Sequence, residues 1–237
     1  VRFLKLKQSL YGFMPTIEKK RKTFWDFVGT DKRVRPYMNI YGAQSGRSQP
    51  AASGFMFLKP AWMRSLVLPA EGMAMAGVDY GSQEFFISAL LSKDMDMIKA
   101  YLSGDVYLAF GKQIGMIPKD GTKKTHEKER DLCKSSILGI SYLMSKHGLS
   151  AKLTQDMKKE FTEDDAQEII DLFYETYPVF AEWQKGIVET YKEYGRWEIY
   201  DGWIMWGDND NFRSVSNVPI QGCAAAIMRE ATKRCMK

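Results

Sequence analysis

A row of four residues at steps of four shares one face of a predicted helix: Arg130, Lys134, Leu138 and Tyr142. Such a row drifts by only about 40° per helical turn, so it stays on one broad face over three turns. Two cations one turn apart suit a polyphosphate chain, and the apolar residues behind them suit a flat group such as a base. The alternative is an ordinary amphipathic helix in which Leu138 and Tyr142 belong to the core.

A carboxylate at a change of pattern is the second candidate for chemistry. The apolar run over residues 73–78 predicts a short buried strand that ends at Asp79, and from about Gln83 the apolar residues take a helical period. Strand ends hold side chains rigidly, and phosphoryl transfer requires carboxylates that bind magnesium. A turn or helix-cap role for Asp79 is the alternative on this pattern alone.

The cysteines and histidines argue against a zinc site or a disulfide framework. The chain of 237 residues has three cysteines, which are widely spaced, and two histidines. A reducing compartment fits this usage best. Any metal would therefore be bound by oxygen ligands, which suits a hard ion such as magnesium.

Charge and hydropathy narrow the class of protein. No stretch approaches the roughly twenty uninterrupted apolar residues of a membrane span, so we expect a soluble protein with no membrane role. Residues 1–35 hold ten Lys or Arg against three acids. This excess favours a polyanionic partner such as nucleic acid, although a solvated basic face is the alternative.

The surrounding pattern predicts a sheet platform with a helical insertion, an α+β fold. Glycines and prolines break up residues 8–62 into short strands and loops, whereas 94–194 is mostly helical. Within the helical part, we predict that Asp105 caps a helix, that Thr162 and Asp165 form a capping box, and that Pro178 divides the last long segment.

The pattern after residue 195 changes again. Alternating aromatic residues on both sides of Asp201-Gly202 predict a hairpin. A final helix is expected after Pro219.

Taken together and in their order along the chain, the motifs resemble those of the family A (DNA polymerase I-like) DNA polymerases. DYGSQEF, residues 79–85, is similar to the family's Asp-Tyr-Ser-x-x-Glu, and RDLCKSSILGISYL, residues 130–143, to its fingers-helix motif Arg-x3-Lys-x3-aromatic-Gly-x2-Tyr-Gly. SGR at 45–47 and NVPIQGCAA at 217–225 are similar to its Thr-Gly-Arg and Asn-x-Pro-x-Gln-Gly-Thr-Ala-Ala elements. GDVYLAFGKQIG and DYGSQE look more like phage-type members.

The resemblance implies a DNA-templated DNA polymerase that uses two Mg²⁺ ions, deoxynucleoside triphosphates (dNTPs) and primer-template DNA. It implies that Asp79 binds both metal ions with help from the Tyr80 carbonyl, and that Lys134 neutralises the departing phosphate chain. Location in the cytoplasm of a bacterium or a phage-infected cell follows, since no targeting segment is seen.

Roles in nucleotide binding follow from the same resemblance. Arg130 would hold the outer phosphates, and Glu84 would crowd a ribose 2′-OH. Leu138 would lie near the sugar, Tyr142 near the templating position and Tyr107 near the phosphates.

Roles in DNA binding fall on four further residues. Arg47 and Gln221 would read the minor-groove edge at the primer end, and Arg213 and Asn217 would contact the template strand or backbone. Phosphate contacts of this kind agree with the basic charge of the chain.

The chain also departs from the family pattern. Leu138 stands where the family has Phe or Tyr, Leu143 replaces the second Gly of the fingers motif, and Tyr107 occupies a position where many members have His. The third motif, His-Asp-Glu, is absent, and with it the second metal-binding Asp. The late acids Asp201, Asp208 and Asp210 are interpreted as turn residues.

The predicted organisation is a palm with an antiparallel sheet and helices, and a helical fingers subdomain. We predict an N-terminal palm part at 1–93, fingers at 94–194 and a truncated palm part at 195–237. The chain is expected to be a piece of a longer protein, with thumb and any exonuclease domain before Val1 and the third motif after Lys237. Such a fragment should be inactive alone, because one carboxylate cannot organise two metal ions about 4 Å apart.

Two other functions stay open. A single-subunit RNA polymerase shares the Asp, Lys and Tyr placement, but Glu84 argues against it because a ribonucleotide polymerase needs a small residue there. A non-catalytic nucleic-acid-binding half of a split polymerase is the other, with a second polypeptide or a missing C-terminal segment carrying the third motif.

Overall fold

The computed structural model describes residues 24–35, 37–50, 67–199, 202–206 and 211–236. The chain divides into two compact units, Val1–Asp79 and Tyr80–Lys237. The subdomain boundaries predicted at residues 93 and 194 stay a prediction.

The described part of the first unit holds short elements and loops, as predicted for this glycine- and proline-rich region. A single 3-10 turn spans Phe24–Phe27. The strands β1 (Met38–Asn39) and β2 (Gln49–Pro50) pair antiparallel, and Asn39 lies opposite Gln49.

The buried strand predicted over residues 73–78 is wrong. Residues 73–80 have no regular secondary structure, and Val78 exposes 91% of its surface. A strand needs a neighbour with which to exchange backbone hydrogen bonds, and no strand within the described residues pairs with this segment. Asp79 therefore lies on an exposed irregular segment and not at the end of a rigid strand.

The second unit is mainly helical. Its described residues form eight α-helices: α1 (Gln83–Ser92), α2 (Met95–Leu102), α3 (Val106–Gln113), α4 (Glu127–Ser141), α5 (Lys146–Met157), α6 (Glu163–Thr176), α7 (Pro178–Tyr194) and α8 (Phe212–Cys235). Between α7 and α8, the strands β3 (Arg196–Glu198) and β4 (Ile204–Trp206) pair antiparallel. This arrangement confirms the predicted hairpin and the α+β class. Gly202 has a φ of +80° in the hairpin turn, and Asp201 lies outside the described residues.

Side-chain caps begin several helices where the sequence predicts them. Asp105 accepts hydrogen bonds from Tyr107 N and Leu108 N, which caps α3. Thr162 and Asp165 form the predicted capping box of α6. Pro178 is the first residue of α7, and Tyr177 alone separates it from the end of α6, so the two helices divide at Pro178 as predicted.

The final helix begins earlier than predicted. Asn211 accepts a hydrogen bond from Ser214 N, and α8 runs from Phe212 through Pro219 without ending there. Proline inside a helix removes one hydrogen bond. The buried face of α8, which includes Val215 and Val218, offsets that loss because it packs into an apolar core.

Two apolar cores hold the second unit together. The first joins the helices from α1 to the start of α7 around fully buried aromatic residues: Phe110, Phe173, Tyr177 and Phe180. The second joins α1, α7, the hairpin and α8: Ile87, Ile187, Tyr191, Ile199, Met205, Val215, Val218 and Ile220 among others. Helix α1 contributes to both cores, so it links the two halves of this unit.

Candidate functional site

Helix α4 carries the row of predicted nucleotide-binding residues. Cys133, Ile137 and Ile140, on the neighbouring face of the helix, are at most 1% exposed and pack into the first core. Lys134 is exposed, whereas Leu138 is half-buried. Within the described residues, Leu138 does not belong to either core. The row therefore lies beside the core-facing side of α4 and keeps access to solvent.

The N-terminal end of the row is held by an ion pair. Arg130 Nε donates a hydrogen bond of 2.6 Å to Asp105 Oδ2, and the two side chains are only 14% and 25% exposed. The other oxygen of Asp105 caps α3. The sequence predicts the cap but not the ion pair, because nothing in a sequence marks a contact between residues 25 positions apart.

The ring of Tyr107 lies close to both cations of the row. The centre of the ring is 5.2 Å from Arg130 Cζ and 6.0 Å from Lys134 Nζ. Tyr107 itself is 8% exposed and belongs to the first core, so the ring is a fixed surface. Cations over an aromatic face gain electrostatic attraction. The structure thus brings together three predicted site residues, Arg130, Lys134 and Tyr107.

The C-terminal end of α4 is fixed by a buried amide. Gln184 is 3% exposed, and its Nε2 donates to the backbone oxygen of Ser141 at 3.0 Å. Its Oε1 accepts a hydrogen bond of 2.8 Å from the Tyr174 hydroxyl. Burial raises the pKa of Tyr174 to about 12, so this phenol stays a donor at neutral pH. Gln184 belongs to no motif, so the sequence does not predict its role.

Tyr142 and Leu143 follow the last residue of α4. Tyr142 is its half-buried C-cap residue, and Leu143 has a φ of +51°, in the left-handed region. That conformation favours glycine, which the related motif has at this position. The departure at Leu143 therefore carries a backbone cost.

The middle of α4 is tied to α5 on its other side. Ser135 Oγ donates to Asp156 Oδ2 at 2.8 Å, and Lys152 Nζ donates to the backbone oxygen of Ser135 at 3.3 Å. Neither contact involves the side chain of Arg130 or Lys134. They restrain the helix without using the cations that a ligand would need.

The predicted DNA-binding residues of α8 share a face. Arg213, Asn217 and Gln221 lie at steps of four within one helix, Arg213 exposed and the other two half-buried. The sequence pattern predicts only Gln221 in a helix, because the predicted helix begins after Pro219 and not after the cap residue Asn211. Helix α8 packs against α1, whose first turn holds the half-buried Glu84.

The remaining predicted site residues lie on exposed segments. Arg47 is exposed in the loop between β1 and β2, where its backbone oxygen accepts a hydrogen bond from Ala43 N. Asp79 is exposed at the end of the first unit, and Tyr80, the first residue of the second unit, is 47% exposed.

Candidate metal ligands are few in the described structure. No three His, Cys, Asp or Glu side chains gather within its described ranges. The Asp79 carboxylate and the Tyr80 carbonyl are oxygen donors, the chemistry that magnesium prefers. One carboxylate matches part of a two-metal site, so these donors fit magnesium in kind but not in number.

Comparisons with known proteins identify the family that the chain resembles. Residues 25–237 match the family model described as DNA polymerase family A. The chain is similar to DNA polymerase I of Aquifex aeolicus (strain VF5), with 25% identity over 202 residues, which cover 84% of this chain and 34% of that relative. It is also 25% identical over 183 residues to the thermostable DNA polymerase I of Thermus thermophilus, covering 73% of this chain and 21% of that relative. The chain thus spans about a third or less of the curated relatives it matches.

A solved structure has the same fold. It is the POL domain of Pol1 from M. smegmatis in complex with DNA primer-template and dNTP. The TM-score is 0.73 at 21% identity, and the match covers 95% of this chain and 39% of that one. This likeness confirms the predicted fold class.

Among the residues that the structure describes, no helix is long and apolar enough to cross a membrane.

Proposed function

Because the chain belongs to DNA polymerase family A, we propose that it forms part of a DNA-templated DNA polymerase in which α4 holds the triphosphate of an incoming dNTP. One observation carries this proposal: Arg130 and Lys134 lie one turn apart over the same buried ring, at the edge of the core-facing side of α4. Two cations at this spacing match the charge of a polyphosphate.

The two cations have different parts in the proposed reaction. Arg130, with a planar fork of donors, holds the outer phosphates. Lys134 is exposed and carries a compact charge, so it neutralises the phosphate chain as it departs. In phosphoryl transfer the protein mainly positions the reactants and stabilises charge, and these two residues do both.

The rest of the row and the first turn of α1 receive the nucleoside in this proposal. Leu138 is half-buried and contacts the sugar, and Tyr142 at the end of the helix contacts the base pair. Glu84 excludes a ribose 2′-OH, which makes the enzyme a DNA polymerase and not an RNA polymerase.

Magnesium and DNA complete the proposal. Asp79 and the Tyr80 carbonyl would hold Mg²⁺, which supplies Lewis-acid stabilisation of the phosphates when bound. Primer-template DNA would contact four polar residues: Arg47, Arg213, Asn217 and Gln221. The steps of four along α8 support a shared DNA-facing surface for the last three. A second polypeptide or a C-terminal segment that carries the third motif belongs to the same proposal.

A bacterial or phage origin and a reducing cytoplasm are further parts of the proposal. The three cysteines are free, which supports a reducing compartment. The phage-type assignment is supported by the sequences GDVYLAFGKQIG and DYGSQE alone.

The test measures binding of a fluorescent dNTP to the 237-residue chain in the presence of Mg²⁺. Arg130→Ala and Lys134→Ala should each weaken binding about 10- to 100-fold, the effect of one charge-assisted hydrogen bond. Lys185→Ala, which removes an equal charge from the exposed side of α7, is the control and should change affinity less than about twofold. Equal affinity in all four proteins would contradict the proposal.

A second measurement addresses the reaction. Primer extension by the full-length gene product should use dNTPs in preference to ribonucleotides. Preference for ribonucleotides would show that Glu84 is not a steric gate.

A further inference from the structure

We infer that Asp105 is a positioning residue for the triphosphate: its carboxylate sets the direction in which Arg130 presents its donors. This inference rests on the proposed function of α4 and extends it to a residue outside the row. Asp105 lies at the start of α3, whereas the cations lie on α4, so the two helices build the phosphate site together.

One carboxylate performs two tasks. Asp105 Oδ1 accepts hydrogen bonds from Tyr107 N at 3.2 Å and Leu108 N at 3.1 Å, which fixes the carboxylate to the first turn of α3. Asp105 Oδ2 accepts the hydrogen bond of 2.6 Å from Arg130 Nε. The carboxylate cannot rotate to follow the arginine without losing the helix cap, so the arginine is oriented by the carboxylate.

The hydrogen bonds of Arg130 leave part of its guanidinium group available. Asp105 occupies Nε, and Asp131 Oδ1 accepts only a long hydrogen bond of 3.4 Å from Nη1. A guanidinium has five N–H donors, and those of Nη2 make no hydrogen bond among the described residues, so they remain for phosphate oxygens. A ligand could therefore bind Arg130 without breaking the ion pair.

The ring of Tyr107 adds a second restraint of the same origin. Its backbone N–H is bound by Asp105, and its face lies 5.2 Å from Arg130 Cζ. Arg130 is thus restrained by the ring as well as by the carboxylate. Lys134, at 6.0 Å from the same ring, has no such carboxylate among its described contacts. The restraint is specific to the residue proposed to hold the outer phosphates.

Two effects of Asp105 on an anionic ligand oppose each other. Its negative charge repels phosphates, whereas its hydrogen bond orients Arg130. If repulsion dominated, a neutral residue at position 105 would tighten the binding of every phosphate ligand. If positioning dominates, the loss grows with the number of phosphates, because only the outer ones reach Arg130.

The test compares Asp105→Asn with the unmodified chain. Asparagine keeps one acceptor oxygen for the cap of α3, but its amide nitrogen cannot accept from Arg130 Nε. Asp131→Asn is the matched control, since it removes the same charge beside the same arginine from a side chain that is 52% exposed. Equal near-ultraviolet circular dichroism of the three proteins shows that α3 and α4 still pack.

Affinities for dNTP and for the matching nucleoside monophosphate are measured for each protein with Mg²⁺. Asp105→Asn should weaken dNTP binding about tenfold and leave monophosphate binding within about twofold. Asp131→Asn should leave both unchanged. In an Arg130→Gln background, Asp105→Asn should have no further effect on dNTP, because the group that it orients is gone.

The outcomes are distinguishable. A preference for dNTP over monophosphate that is as large in Asp105→Asn as in the unmodified chain, or tighter binding of both ligands, overturns the inference alone. An unmodified chain that shows no preference for dNTP overturns the proposed function of α4 together with the inference.

Discussion

Asp94 accepts a hydrogen bond of 3.1 Å from the backbone N of Phe180, and this contact joins residues 86 positions apart. The same carboxylate caps α2, because its other oxygen accepts from Asp96 N and Met97 N at 3.0 Å each. Phe180 lies in the first turn of α7. A single side chain, 1% exposed, therefore satisfies the ends of two helices in the core beside the candidate site.

Replacement of Asp94 should destabilise the fold strongly. Asp94→Ala removes the cap of α2 and leaves the Phe180 N–H buried without its acceptor, a combined cost of about 2–4 kcal/mol in the free energy of unfolding. Asp96→Ala on the same helix removes an exposed ion pair with Lys99 and should cost less than about 1 kcal/mol. Urea denaturation measures both values, and equal costs would contradict the double cap.

The buried amide of Gln184, which binds the C-terminal end of α4, should also contribute to stability. Gln184→Leu leaves the Tyr174 hydroxyl and the Ser141 carbonyl without that partner, so we expect a loss of about 1–3 kcal/mol. Gln167→Leu is the control, because its side chain makes one exposed hydrogen bond to Asp171. The free energies of unfolding of the two variants, measured with denaturant, should differ by at least about 1 kcal/mol. If Gln184→Leu leaves the free energy of unfolding unchanged, the network contributes little to stability.

At Leu143, the backbone conformation should make a glycine variant more stable than an alanine variant, the reverse of the order within a helix. Its φ of +51° penalises any residue with a Cβ, so Leu143→Gly should be more stable than Leu143→Ala by about 1 kcal/mol. Both variants lose the same leucine side chain, and their difference isolates the backbone. At Lys185, within α7, Lys185→Ala should be more stable than Lys185→Gly by about 1 kcal/mol. If thermal unfolding shows the alanine variant to be more stable than the glycine variant at both positions, this explanation is refuted.

Stability should fall at alkaline pH for a specific reason. Burial raises the pKa of the Cys133 thiol and of the Tyr174 hydroxyl, each to about 12. Both groups ionise at lower pH in the unfolded chain, so the folded state binds more protons than the unfolded state in this range. The free energy of unfolding should therefore decrease as pH rises from about 9 to 12.

Variants identify the groups responsible. Cys133→Ala and Tyr174→Phe should each reduce the slope of stability against pH in that range, whatever they do to stability at pH 7. Denaturant unfolding at intervals of pH measures the slope. Cys235→Ala, at an exposed thiol, should leave it unchanged, and an unchanged slope in all three variants would assign the pH dependence to other groups.

Comparison of sequence with structure separates local signals from long-range ones. The caps at Asp105 and Thr162 and the division at Pro178 are local, because a side chain there acts on backbone groups within a few residues. The sequence predicts them correctly for that reason. The start of α8 is the exception among these local signals, because the helix begins after the cap residue Asn211 and not after Pro219 as predicted.

The strand predicted over residues 73–78 failed for a different reason. Apolar residues in a row state only that a segment can be buried, whereas a strand forms when a neighbouring strand accepts its hydrogen bonds. No such neighbour lies within the described residues, and the segment is exposed. Pattern alone cannot supply that partner.

The sequence by itself determined which residues share the face of α4, since helical periodicity follows from the backbone and places residues at steps of four side by side. Only the tertiary structure decided what holds that face in position. The contact of Arg130 with Asp105 and that of Ser141 with Gln184 join different helices. Such contacts depend on how the helices pack, and packing is set by the shared apolar core and not by the spacing of residues along the chain.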